Sequence, residues 1–415
     1  MTSKKEDREP KATEWIVCFG GEDWWYHSHG HFDIQLMKRF STAVNVLYVC
    51  SIGMRMPSIR NDRLFLTRLR RKLSSVMHRL QRVHRNLHVF SPLPIPLYGS
   101  RSGRLVNTMA LRLQLKSICR RLKIESPIVW INTPTAWPIA RTLPRRGLVY
   151  QRTDDYAAYD FENFNAAYVK QVDTDIVKGE DLVIHVSEEL HQEAVALTNN
   201  SVLVTQGVDE RFFGSQSLPP RDLQGIPRPI VGYIGGMDRY KFSTDVVEAV
   251  ARELSNLSFV FVGQRNPNVE RLSTLRNVHF LGMKDHSEIP AYVHAFDVCI
   301  VPTAQTDWGM KCRPLKLMEY LAAGKPVVAT ETPASLAFGD AITVANSLQS
   351  WVEGILDALP SRADNPRSPP NVTVHLESWN SLAARFWKEL HERGLSVNSP
   401  QQFAVADKHF EGATR

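Results

Sequence analysis

CRPLKLMEYLAAGKPVVAT, residues 312–330, carries the densest local signal in the chain. Pro314 suits the first position of a helix, where its missing N–H costs nothing. Gly324 is a helix stop, and KPVVAT beyond it is an apolar run of buried-strand type. The unit therefore reads loop, helix, glycine, strand. The start of such a helix presents unpaired N–H groups and a positive dipole end, which suit a diphosphate. Lys316 falls in the first turn and adds a point charge. Glu319, three residues on, shares its face, and a carboxylate there can accept two ribose hydroxyls, as acidic residues do in other nucleotide-binding folds. The competing reading is an ordinary surface pair of Lys316 and Glu319, worth roughly a few tenths of a kcal/mol.

Working outward, the same pattern repeats. IVGYIGG (230–236), LSFVFVG (257–263) and VHFLGM (278–283) are strands ending in glycine. FDVCIVPT (296–303) is a strand, and 244–254, 287–295 and 314–323 read as helices. In an open parallel sheet, ligands sit beyond the carboxyl ends of strands. Gly235, Gly236, Gly263, Gly282 and the Pro314 helix start are therefore expected to converge. Arg239 and Lys241 reach phosphate from the first loop or are simply exposed.

The N-terminal half also alternates strand and helix. WIVCFGG (15–21), VNVLYVC (44–50), LHVFSP (87–92), PIVWIN (127–132), GLVYQRT (147–153) and DLVIHVS (181–187) are strand candidates, with a helix at FDIQLMKRF (32–40). The expected organisation is a flexible N-terminus (1–14), a first Rossmann-like domain (15–216) and a proline-rich linker (217–229). A second Rossmann-like domain (230–394) follows, whose last helix can pack back on the first, and then a tail (395–415).

Length and composition agree. The 415 residues exceed one ordinary core, and 43% hydrophobic with 22% charged residues describes a globular chain. No apolar run reaches the ~18 residues of a membrane span. A polar N-terminus without an apolar signal core makes the cytoplasm the expected compartment. The five cysteines fit neither a zinc site nor a disulfide framework. The net charge of +7 is uneven. Residues 55–85, with Arg101, Arg104, Arg112, Lys116, Arg120, Arg121 and Lys123 beyond, are basic with interleaved apolar residues. This pattern reads as an amphipathic helix on an anionic membrane, a solvated face, or a nucleic-acid site. Missing aromatic interleaving disfavours the last.

The stretch from Val231 to about Ala345 resembles the nucleotide-binding domain of GT-B glycosyltransferases. It is similar to the large bacterial family 4-like group and to glucuronosyltransferase-like exopolysaccharide and capsule enzymes. The matching elements are GYIGG, FVFVG, NVHFLG, SEIPAYVHAFDVCIVP and PLKLMEYLAAGKPVVAT. In the N-terminal half the likeness is general: QRTDDYAAYD, DLVIHVSEEL and QGVDERFF, the last where the family has an NGVD-type turn. The resemblance implies two Rossmann-like domains facing each other across a cleft, and transfer of a sugar from a nucleotide donor, UDP-sugar favoured, to a glycan or lipid-linked glycan. Glu319 would hold the ribose. Lys316, Arg239 or Lys241 would neutralise the diphosphate, and Gly282 with Met283 would border the base. Lys311, Arg313, Pro314 and Leu315 would complete the donor loop. No permanently bound cofactor and no catalytic metal are expected, since cations and the helix end supply the field a metal would give.

One departure bears on mechanism. The retaining pattern has two glutamates eight positions apart, and eight before Glu319 stands Lys311. Either Asp307 substitutes or the course is inverting, which the reading slightly favours. An inverting enzyme needs a base for the acceptor hydroxyl. Asp154 and Asp155, after the strand at 147–153, are the candidates. Alternatively, Asp154 caps the next helix and Asp155 is exposed. Gly21, Asp23, Trp24, Trp25, His27 and Arg152 form the acceptor-side set, with His27 a second candidate base. The indoles serve as sugar platforms or as packing. The remaining alternatives are a noncatalytic nucleotide-sugar-binding partner of a membrane glycan assembly and a GT-B type epimerase. A spaced glycine fingerprint for NAD is lacking.

Overall fold

The structure is a computed structural model. It describes residues 14–25, 30–52, 74, 77–93, 101–153, 155–156, 166–179, 181–204, 207–213, 218–306, 309–310, 315–359 and 376–396. Contacts divide the chain into two compact units. One comprises the chain up to His185 with Glu193–Val202 and the residues from Asn380 on; the other comprises Val186–Gln192 and Leu203–Trp379. The chain thus passes between units more than once, so they are not simple consecutive halves.

The first unit holds β1 (Trp15–Phe19), β2 (Asn45–Val49), β3 (Leu80–His84), β4 (Leu87–Phe90), β5 (Ile128–Ile131), β6 (Gly147–Arg152), β7 (Leu182–His185) and β8 (Ser201–Leu203). They form one sheet in the order β3-β4-β2-β1-β5-β6-β7-β8. The pairings from β4 through β7 are parallel, and β3 against β4 is antiparallel. Helices α1 (Phe32–Phe40), α2 (Arg101–Leu122) and α3 (Ala166–Gly179) belong to this unit. Strands β5, β6 and β7 are buried along their whole length, as covered parallel strands must be.

Within the basic run at 55–85, Ser74 and Met77 are helical, whereas Leu80–His84 is an edge strand and not part of a helix. Its Gln81 and Arg82 are exposed, and polar, charged side chains on an edge discourage further pairing.

The second unit holds β9 (Ile230–Ile234), β10 (Ser258–Val262), β11 (Val278–Gly282), β12 (Val298–Val301), β13 (Val327–Thr330) and β14 (Thr343–Ala345), all parallel, in the order β11-β10-β9-β12-β13-β14. Its helices include α4 (Thr244–Glu253), α5 (Ile289–Ala295), α6 (Leu315–Ala322) and α7 (Leu348–Ala358). Apolar clusters cover both faces of the sheet: one includes Val260, Phe296, Leu317 and Tyr320, the other Tyr233, Phe242, Phe261 and Trp351. The start of α7 is fixed by a reciprocal capping box between Ser347 and Ser350.

The stretch read as a linker is packed into this unit. Arg221–Leu223 forms a 3-10 turn, Leu223 enters the core, and Asp222 accepts hydrogen bonds from Tyr292 Oη at 2.8 Å and from Lys284. The last helix, α8 (Trp379–Glu392), belongs to the first unit from Asn380 on. Gly207 lies under the Trp379 ring, where any side chain would overlap it. Within the first unit, Phe386 and Trp387 pack on Trp130 and Phe40.

Candidate functional site

In the second unit the chain starts at β9, winds outward through β10 and β11, and returns to the other side of β9 at β12. The strand order therefore reverses between β9 and β12, which is where open α/β sheets bind ligands. The loops at this edge are stitched together by backbone. Gly235 N–H donates to Val262 O (2.9 Å), Gly263 N–H to Gly282 O (2.8 Å), and Ser243 N–H to Pro302 O (2.8 Å). Thr306 Oγ1 donates to Tyr240 O at 3.0 Å. The loops after β9, β10, β11 and β12 thus form one connected rim, and the expected convergence of glycine turns is present.

The glycines are required for geometric reasons. Gly263 has φ +142°, and a Cβ there would lie 2.1 Å from Gly235 O. Gly235 itself has φ +141°, and its Cβ would press on Lys316 Nζ and Cε at 3.1 and 3.2 Å. Only glycine accepts both the conformation and the approach.

Helix α6 brings the charged groups to this rim. Lys316 Nζ donates to Tyr233 Oη at 3.3 Å and lies 4.8 Å from the centre of that ring. Tyr233 Oη in turn donates to Gly236 O at 2.9 Å. Tyr320, one helix turn from Lys316, accepts the Ile234 N–H at 2.8 Å. The β9 terminus, the glycine loop and the first turn of α6 are therefore locked together. Among the described residues the Gly236 N–H has no acceptor, so the rim keeps a backbone donor beside a cation.

Glu319 has a partly exposed surface in dense surroundings. Desolvation pushes its carboxyl up to about 7, with Lys316 pulling down and Asp209 pushing up. Sequence reasoning missed Asp209. It caps a 3-10 turn at Glu210–Phe212, and Arg211 clamps it through two bonds of 2.8 Å. The signal was present in the QGVDERFF phrase. Tyr233 and Tyr320, also missed as polar anchors, stood in GYIGG and LMEYL.

The other expected donor residues are placed as follows. Arg239 and Lys241 are exposed, and the Arg239 guanidinium stacks 4.7 Å over Tyr240. Met283 is exposed beyond Gly282, which adopts φ +71°. Leu315 opens α6. Lys311, Arg313 and Pro314 lie outside the described residues, as do Asp307, Asp154 and His27.

In the first unit the corresponding reversal lies between β1 and β5. Gly21 N–H donates to Asp33 Oδ2 at 2.8 Å, and Tyr48 Oη donates to the same oxygen at 2.8 Å. A Cβ on Gly20 would overlap Tyr48 Oη at 2.0 Å. Asn132 Nδ2 donates to Phe19 O at 2.9 Å. Asp23 Oδ1 accepts the Trp25 N–H, an Asx turn. Trp24 is buried edge-on to Tyr48, so its ring is occupied by packing. Trp25 is partly exposed, donates from its indole to Ser91 Oγ at 2.8 Å, and stacks on His78. Arg152 is buried between Asp173 (2.9 Å) and Glu193 (3.2 Å). Burial raises the Asp173 carboxyl, Arg152 opposes this, and Asp155 adds to it. Asp155 is half-buried in this acidic neighbourhood.

With this geometry in place, comparison with known proteins is informative. Residues 228–360 match the family model "Glycosyl transferases group 1". The chain has the GT-B fold. It is similar to sucrose-phosphate synthase from Thermosynechococcus elongatus, with a TM-score of 0.67 and 15% identity over 91% of this chain and 98% of that one. It is also similar to Anabaena HepE, solved in complex with UDP and glucose, with a TM-score of 0.60 and 15% identity over 91% and 99%. In sequence it is 31% identical over 182 residues to TuaH of Bacillus subtilis, named as a teichuronic acid biosynthesis glycosyltransferase. That match covers 41% of this chain and 46% of TuaH. The chain spans about half the length of the curated relatives it matches. Among the described residues no helix is long and apolar enough to cross a membrane, and no cluster of metal-ligating side chains occurs.

Proposed function

We propose that this chain is a glycosyltransferase that moves a sugar from a nucleotide donor, UDP-sugar favoured, to a glycan or lipid-linked glycan in cell-surface polysaccharide synthesis. The observation that carries the reading is the rim of the second sheet: glycine loops at a topological switch, a cation held against them, and a recessed carboxylate three residues along the same helix. The matched family model covers this same region.

In this reading the Gly235–Gly236 loop and the start of α6 receive the diphosphate, with Lys316 neutralising charge as the donor bond breaks. Lys311 and Arg313 extend that loop, and Arg239 and Lys241 add outer cations. Glu319 accepts the ribose hydroxyls, and Gly282–Met283 borders the base. The protein's own cations and N–H groups stabilise the departing diphosphate without a metal. With Lys311 in place of the first glutamate, the course is inverting. The acceptor hydroxyl loses its proton to Asp154 or Asp155, its oxygen bonds to the anomeric carbon, and the bond from that carbon to the diphosphate oxygen breaks. His27 is the second candidate base, and Gly21, Asp23 and Trp25 contact the acceptor. The work takes place on the cytoplasmic side, with peripheral contact to an anionic membrane.

The test is turnover of UDP-, GDP- and dTDP-sugars with and without a lipid-diphosphate glycan acceptor, comparing wild type with Asp154→Asn and Asp155→Asn. Acceptor-dependent release of one nucleoside diphosphate, lowered on the order of 100-fold or more in one variant, is expected for a lost general base. Release that is unchanged in both variants removes these carboxylates from the mechanism.

A further inference from the structure

We propose that the outward face of α2 is the surface through which this protein docks on an anionic lipid bilayer. The helix has two dissimilar sides. Its inner side belongs to the core of the first unit: Leu111 and Leu115 are buried, and Ile118 and Leu122 pack against the same cluster. Its outer side carries Leu105 (60% exposed), Val106 (46%), Met109 (54%) and Leu113 (70%). At 100° per residue these four lie within an arc of about 100°. Lys116 and Arg120 are exposed on that same arc, and Arg112 is exposed about 20° beyond its edge.

Single exposed leucines are ordinary on protein surfaces, but a contiguous apolar row on one helix face is not. The arrangement along the axis is specific. The apolar residues at 105, 106, 109 and 113 and the cations at 112, 116 and 120 share the outward side, and Arg101–Leu122 contains no acidic residue. A helix lying in the plane of a bilayer uses both parts: leucine and methionine enter the acyl boundary, while lysine and arginine stay with the anionic headgroups. A second copy of the chain is a poorer occupant, because like charges would meet across a self-contact. A nucleic acid would leave the apolar row without a partner.

The assignment deepens the acceptor reading above, since it places the acceptor-side unit at the surface where a lipid-linked glycan resides, but the surface itself stands on α2 alone. The experiment is co-sedimentation of the full chain with phosphatidylcholine vesicles, with and without phosphatidylglycerol. Three proteins are compared: wild type, R112E/K116E/R120E, and L105S/M109S/L113S. Far-UV melting and calorimetric UDP binding of each are measured alongside. Wild type is expected to pellet with anionic vesicles only. The charge-reversed variant is expected to lose partitioning on the order of 100-fold, and the serine variant at least ~10-fold. Melting and UDP binding stay at wild-type level in both. Failure of wild type to bind anionic vesicles, or variants that bind like wild type, overturns the assignment. So does a lipid-free dimer that the serine variant dissociates. Vesicle binding without nucleotide binding would break the transferase reading and leave this surface standing; the reverse result would do the opposite.

Discussion

The two sheets place the same device, a strand running into paired glycines, at the same topological position, yet fill it differently. After β1, the protein satisfies its own loop: Asp33 takes the Gly21 N–H, Tyr48 donates to the same carboxylate, and the Tyr48 hydroxyl occupies the space beside Gly20. A carboxylate already stands where an anionic ligand would be held. After β9, the loop faces a cation instead, and Gly236 keeps its N–H open among the described residues. A shared fold therefore does not make the two loops equivalent. The side chain that reaches each loop decides whether it is structural or receptive.

The largest effect should come from the glycine after β10 that abuts the receptive loop. Gly263→Ala forces a Cβ to 2.1 Å from Gly235 O at a positive φ, so a loss of several kcal/mol (~3 or more) and loss of nucleotide binding are expected. Gly21→Ala meets nothing nearer than 3.9 Å and should change stability by less than ~1 kcal/mol in urea titration. Nucleotide binding that survives Gly263→Ala would remove this glycine from the donor rim.

The next largest effect should come from Lys316→Ala. UDP affinity is expected to fall on the order of 100-fold, since a charge-assisted contact is worth ~1.5–3 kcal/mol. Uridine affinity should hardly change, and parallel titrations with both ligands check this.

Glu319 sharpens the comparison through pH. Its folded pKa of about 7 lies above its ordinary 4.5, so folding favours the protonated form. The native state has its full stability below the ordinary value and loses some as pH rises through 7. Glu319→Gln should therefore be neutral near pH 4 and stabilise by up to about 2–3 kcal/mol near pH 8, measured as urea midpoints. Nucleotide binding by wild type should strengthen as pH rises through 7, and the glutamine variant should show no such rise.

The smallest effect is expected from Asp33→Asn. It weakens the clamp on Gly21 and costs about 1–2 kcal/mol of stability, while nucleotide affinity measured by calorimetry stays at wild-type level.

The sequence made these regions unequally legible. Runs such as FVFV and VCIV are apolar throughout, so burial on both faces of a parallel sheet could be read directly. The helix carrying Lys316 and Glu319 was framed by proline and glycine, and its local chemistry was visible. β3 was not: LQRVH lies within a basic run, and only pairing with β4 makes it a strand. Asp33 was likewise hidden, because within FDIQLMKRF it looks like a first-turn acid. Its role depends on Gly21 and Tyr48, 12 and 15 residues away. Arg152 read as a ligand-facing cation, yet Asp173 and Glu193, distant in sequence, occupy it. Local patterns report periodicity and termini, whereas the partners of buried polar groups are settled by tertiary packing.

In the proposed reading the second sheet's rim, and not the first's, holds the donor nucleotide. Calorimetric titration of wild type and Glu319→Ala with UDP, GDP and dTDP tests it most directly. Tight binding of one of them by wild type, lost in the variant, is expected. Absence of binding by folded wild type, or binding that survives Glu319→Ala unchanged, would contradict it.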